Sequence, residues 1–264
     1  MIKLKARTIP EDLSKGQLTW TANLINLIKK FGDYNTIPAA EKKEALQYYN
    51  LDGVKKQLKA TSNSKCFFCE SYIGHIDYPH IEHFWPKSLY PKYTFKWSNF
   101  LLACGRCNIP KDNFDTKLNP FINPILDNPE DFLAYNELRI IVNPLTPNYD
   151  KSFNTIEHCD LRRTTLYRLR APLRISFNEL EYDLEIIINE YNKLLQHNAK
   201  MKRALKIHDA LNNLKDLCSW KSQYAGYVRD MVRKSEIIND ALQIIESHFD
   251  DLGIQSYEIY QNYG

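Results

Sequence analysis

Glu82 and His83 stand side by side in the stretch HIEHFWPKS, residues 80–88. The carboxylate is a hard oxygen ligand of the kind Mg²⁺ takes, and the imidazole is a base whose ordinary pKa lies near neutrality. Together they suit the activation of water against a phosphodiester. Asn108 offers a second, neutral oxygen ligand, and Pro110 just after it marks a helix start, where an anionic phosphate is favoured. His80 either contributes to such a site or is a hydrogen-bonded loop histidine; His75 reads as structural.

What could hold these groups in register is a set of four cysteines. CFFC (Cys66, Cys69) and CGRC (Cys104, Cys107) are both C-x-x-C, and they bracket residues 70–103. A tight turn of this spacing presents two sulfurs, and two such turns complete a tetrahedral Zn²⁺ site. Ligation by cysteine alone leaves no open position, so this zinc is expected to be structural. No βαβ pattern surrounds either pair, which argues against a redox dithiol. Cys159 and Cys218 lack such partners and read as small core residues.

The chain of 264 residues is 44% hydrophobic and 25% charged, which is the composition of an ordinary globular protein and excludes a fibrous or disordered one. No apolar run reaches the length that a bilayer requires, and the first residues lack a signal-peptide core, so the expectation is a cytoplasmic chain with no membrane partner. A net charge of +3 is too small to announce a nucleic-acid binder, so any basic surface must be local.

Helical periodicity in PEDLSKGQLTWTANLINLIKKF, AAEKKEALQYYN and GVKKQLKA predicts a helical N-terminal region over residues 1–60. Residues 61–120 carry the cysteines, the prolines and dense aromatics of a small metal-pinned module. A connector follows over 121–154, with FLAY and RIIV as the strands of a short hairpin. A helical C-terminal lobe covers 155–264 and ends in the Tyr-rich SYEIYQNYG. The fold class is therefore α+β, mainly α. In the lobe, Arg163, Tyr167, Arg170 and Arg174 fall on one helical stripe. That spacing suits nucleic-acid phosphates, a solvated face or an acidic partner protein equally well.

The pattern KCFFCE, IEHFWPKS, WSNFLLACGRCNIPK, NPILDNPEDFLAY and TIEHCDLRRTTLYRLR resembles the HNH endonuclease ββα-metal module, and within it the PtuB-like family of Septu and retron-type anti-phage systems. The resemblance covers about the first 175 residues. It implies His83 as general base, Glu82 and Asn108 as ligands of a catalytic Mg²⁺ or Mn²⁺, and Asn99 as the brace behind the base. It further implies Lys111 as a phosphate-binding residue and structural Zn²⁺ on Cys66, Cys69, Cys104 and Cys107. The implied partners are a nucleic acid, DNA first and RNA such as tRNA second, and an ABC/SMC-like ATPase; a retron reverse transcriptase with its DNA is another. The sequence departs from the family at Glu82, where aspartate is more usual, and at Phe114-Asp115-Thr116 after the helix. A zinc adaptor that docks a partner without catalysis is the reading from another class.

Overall fold

Proline and glycine punctuate the N-terminal helices. The first, α1 (Glu11–Phe31), follows Pro10, carries Glu11 and Asp12 in its first turn and Lys29 and Lys30 in its last, and stops at Gly32, whose φ is 88°. Acid at the start and base at the end oppose the helix dipole favourably, and glycine takes the positive φ without a Cβ clash. Helices α2 (Ala39–Leu46) and α3 (Asp52–Ser62) follow, joined by a 3₁₀ turn over Gln47–Asn50. The computed structural model describes all residues except Ala6, residues 75–77, Gln255 and residues 260–264. His75 and most of the Tyr-rich tail therefore lie outside the described residues.

Strand β1 (Pro79–His83) pairs antiparallel with β2 (Phe100–Cys104), in a register that sets Glu82 opposite Leu101 and His83 opposite Phe100. All five residues of β2 are buried, as a strand covered on both faces requires. Helix α4 (Gly105–Lys111) begins at once, with Cys104 as its N-cap residue. A short hairpin, β3 (Leu133–Asn136) and β4 (Arg139–Val142), turns at Glu137, whose φ is 50°. Helix α5 (Tyr149–His158) is capped by the Asn148 side chain, which accepts from the Lys151 N–H.

The helical periodicity that continues past residue 155 is interrupted. Asp160 takes a left-handed φ of 46°, and the Leu161 N–H reaches back to the Ile156 carbonyl while the Asp160 N–H meets that of Glu157. This pair of bonds closes the end of α5, and an aspartate tolerates the left-handed backbone there. The remaining helices are α6 (Thr164–Lys193), α7 (His197–Cys218), α8 (Ala225–Lys234), α9 (Glu236–Glu246) and α10 (Phe249–Leu252). Ser235 separates α8 from α9 by accepting the Ile238 N–H on its hydroxyl.

The architecture is mainly helical with small sheets. The four sequence segments resolve into two compact units. Met1–Leu133 with Ile141–Arg162 forms the first, so the N-terminal helices and the cysteine-bearing module share one unit. The second contains Ala134–Ile140 and the helices from Arg163 onward.

Candidate metal centre and cleft

The C-x-x-C turn at Cys66 is shaped by backbone bonds. The Cys66 N–H donates to the Ser71 carbonyl, the Glu70 N–H to that of Cys66, and Glu70 takes a φ of 63°. The Phe67 N–H donates to the Leu102 carbonyl, which ties this turn to β2. The second pair sits where β2 becomes α4, and all four thiols are buried. Their sulfurs lie within 4.8 Å of one another, and those of Cys69 and Cys104 are 3.8 Å apart. A tetrahedron with Zn–S bonds of about 2.3 Å has sulfurs about 3.8 Å apart, so the four residues fit a structural Zn²⁺. Burial pushes the Cys66 and Cys107 thiols well up, whereas hydrogen bonding from Cys107 lowers Cys104. A divalent cation would reverse the first effect by stabilising thiolates.

Strand β1, Asn108 of α4 and the residues just after that helix border a cleft of about 280 Å³; Pro110 stands near the end of α4 and not at the helix start that the sequence suggested. Glu82, His83, His80, Lys87, Asn108 and Tyr49 are among its lining residues. His83 is buried, with its ring edge-on to Tyr49 and Phe100 at centroid distances of 4.9 and 5.2 Å. Its Nε2 lies 2.9 Å from the Thr94 carbonyl oxygen. A carbonyl only accepts, so Nε2 carries the proton and Nδ1 is left with a lone pair. Burial, with the nearby Lys87 charge adding to it, lowers the imidazole pKa to about 3.

Asn99 lies at the end of the 3₁₀ turn that leads into β2. Its side-chain oxygen accepts the Trp85 N–H at 2.7 Å, and its amide donates to the carbonyls of Trp85 and Tyr93 at 3.0 and 3.2 Å. Tyr93 precedes Thr94, so these bonds fix the segment that carries the partner of His83. Asn108 donates its amide to His80 Nδ1 at 3.1 Å, which leaves its carbonyl oxygen for another partner.

Glu82 is buried, and burial raises its pKa against the opposing pull of Lys111, with which it forms an ion pair. The expectation that Lys111 meets a phosphate is corrected by this contact. Its ammonium is fully buried between Glu82 and the His83 carbonyl, 3.3 Å away, and does not line the cleft. The cation that does line it is Lys87, whose pKa burial lowers. Lys87 and Tyr49 were missed in the sequence reading. Lys87 could have been found by its place after Pro86 in the loop that leaves His83; Tyr49 had no signal beyond being one of an aromatic pair, in the 3₁₀ turn between α2 and α3.

The proposed arginine stripe is also corrected. Arg163 precedes α6 as its N-cap residue, and Arg170 is 1% exposed, donating to the Leu138 carbonyl at 3.0 Å with its guanidinium over the Tyr135 ring. Arg174 faces Glu137 at 3.5 Å. A residue buried in this way cannot track phosphates, so the four do not form one exposed face.

No family model matches the chain. Two curated proteins do, both named Septu protein PtuB. One, from Bacillus thuringiensis, is 40% identical over 81 residues, covering 30% of this chain and 32% of its own length. The other, from Bacillus mycoides (strain KBAB4), is 31% identical over 123 residues, covering 35% of this chain and 42% of its own. Over the matched residues the chain is similar to these two proteins. The chain thus spans between about a third and two fifths of the length of the curated relatives it matches. Among its described residues no helix is long and apolar enough to cross a membrane.

Proposed function

We propose that the chain is an HNH-type endonuclease that hydrolyses phosphodiester bonds in nucleic acid, DNA first, as a component of a Septu anti-phage defence system working with an ATPase partner. The observation that carries this reading is the commitment of His83 Nε2 to the Thr94 carbonyl, which leaves Nδ1 as a neutral base in a cleft shared with Glu82, Lys87 and Asn108. The antiparallel pair β1–β2 running directly into α4 supports it, because the register sets Pro79 opposite Cys104 and so lays β1 beside the helix that carries Asn108. The names of the two relatives support the defence role.

A carboxylate and an amide oxygen on one cleft make a hard-oxygen set suited to Mg²⁺ or Mn²⁺, so Glu82 and Asn108 would hold that ion. When bound, it would supply positive charge for the phosphate as negative charge builds there. His83 Nδ1 takes the proton of the attacking water, and Thr94 fixes the tautomer that leaves this nitrogen its lone pair. Lys87 pairs with a phosphate oxygen. Lys111 opposes the burial that raises the Glu82 pKa, and Asn99 keeps the Thr94 segment in place. As the new oxygen bond to phosphorus forms, the P–O3′ bond breaks; the departing oxygen takes a proton from solvent to become a 3′-hydroxyl, and a 5′-phosphate is left on the other fragment.

The test incubates purified protein with supercoiled plasmid, linear DNA and a tRNA pool, in Mg²⁺, Mn²⁺ or EDTA, alone and with the ATPase partner. Metal-dependent cutting by the parent that disappears in His83→Ala, with zinc content and circular dichroism kept, is the expected result and identifies the polymer. Equal defence in cells by parent and His83→Ala would instead favour a non-catalytic zinc adaptor.

A further inference from the structure

Within the second unit, the end of α6, the first residue of α7 and the junction of α9 with α10 bring two imidazoles and a carboxylate together. His197, His248 and Asp251 place one ligand atom each within 4.8 Å of the others. The two Asp251 oxygens divide between the rings: Oδ1 lies 3.1 Å from His197 Nε2 and Oδ2 lies 2.8 Å from His248 Nδ1. The remaining nitrogen of His248, Nε2, lies 3.0 Å from the Tyr191 hydroxyl. We propose that His197, His248 and Asp251 form a second metal site, for a divalent ion of the zinc class.

The donor chemistry fits such an ion. Two neutral imidazoles and one carboxylate are borderline nitrogen and oxygen ligands, which zinc-class ions accept, with water in a fourth position. His248 is held as ligands of this type are held, because a coordinating imidazole needs a partner on its other nitrogen to fix the tautomer and the ring plane. With Nδ1 turned to the ion, Nε2 carries the proton and donates it to Tyr191. The side chain of His248 is 5% exposed whereas that of His197 is 67% exposed, so the site has one fixed wall and one open to solvent. An ion can therefore enter without unfolding the helices. Bound there, it would join α7 to the α9–α10 junction, which are remote in sequence.

The experiment titrates the full chain, with zinc already on its four cysteines, against added Zn²⁺ by calorimetry and against Co²⁺ by absorption. The expected result is a further equivalent whose cobalt form shows weak d–d bands and none of the intense sulfur charge transfer of the cysteine site. His197→Ala, an exposed position where the fold should persist, removes that equivalent or weakens it at least tenfold while any ion bound in the cleft is unaffected. Tyr191→Phe weakens it by about tenfold, the scale of losing the partner of a ligating histidine. Stoichiometry and affinity that are the same in the parent, His197→Ala and Asp251→Asn would overturn the proposal, and so would failure of the parent to take up any further ion.

Discussion

The buried pair Glu82–Lys111 shows how far a single side chain can depart from what its position in a motif implies. Three residues after Asn108, Lys111 falls near it on the helix, and periodicity cannot say whether that face meets solvent or the strand beneath. Burial decides, and the ammonium turns inward to a carboxylate that would otherwise be an unpaired buried charge. Removing one member of such a pair costs about 3–5 kcal/mol. Lys111→Met is expected to show a loss of that size in urea unfolding, and Lys111→Met combined with Glu82→Gln to recover most of it. Were the single change neutral, the pairing would be wrong. His83 gives a second prediction at this scale. Its folded pKa of about 3 lies below the ordinary imidazole value of about 6.5, so between the two the unfolded chain binds the extra proton. The contribution of a neutral His83 is therefore complete above that window and is lost as pH falls through it, by about 1.4 kcal/mol per unit. His83→Phe, which keeps a ring between Tyr49 and Phe100, should show a flatter dependence of stability on pH in magnesium-free buffer. An unchanged slope would show that the imidazole is not held neutral.

At the scale of elements, the loop between β1 and β2 is tied together by the Asn99 side chain. Asn99→Ala leaves the Trp85 N–H and the carbonyls of Trp85 and Tyr93 without their side-chain partner in a buried place, a loss of about 1–3 kcal/mol for such groups. Because the same segment presents the Thr94 carbonyl, kcat should fall more than KM rises, while zinc content stays at the parental value. Loss of zinc would place the role of Asn99 in the metal centre instead. The elements themselves were legible to different degrees, for physical reasons. C-x-x-C spacing reports a turn geometry that is local, so the cysteine cluster could be read directly. α1 and α3 could be read from period and punctuation. The stop at Asp160 could not, because an aspartate in the left-handed region looks in sequence like any polar helix residue. The arginine stripe misled for a non-local reason: the carbonyl of Leu138 and the ring of Tyr135, in a hairpin some thirty residues earlier by number, cover Arg170. Arg170→Ala is thus expected to lower the melting temperature and to leave nucleic-acid affinity unchanged; a selective loss of affinity would restore the stripe.

For the whole molecule, the proposed reaction and the proposed defence role separate in cells. Phage plaque counts on bacteria carrying the chain with the proposed ATPase partner should rise to the undefended level with His83→Ala, although the variant accumulates to the same amount. Protection that survives the change would leave the protein as a scaffold. The cysteine centre bears on how such a protein is made. The ribosome emits Cys66 and Cys69 first, then Glu82 and His83, and only afterwards Cys104 and Cys107. While the second pair is still inside the exit tunnel, the first has only half of a coordination shell, and the strand opposite Glu82 does not yet exist. On the proposed function, a chain still being translated therefore cannot present an assembled nuclease cleft, and a finished one would acquire it when zinc is supplied. Zinc-starved growth should accumulate full-length but unarmed protein, ready to be completed without new synthesis once zinc returns.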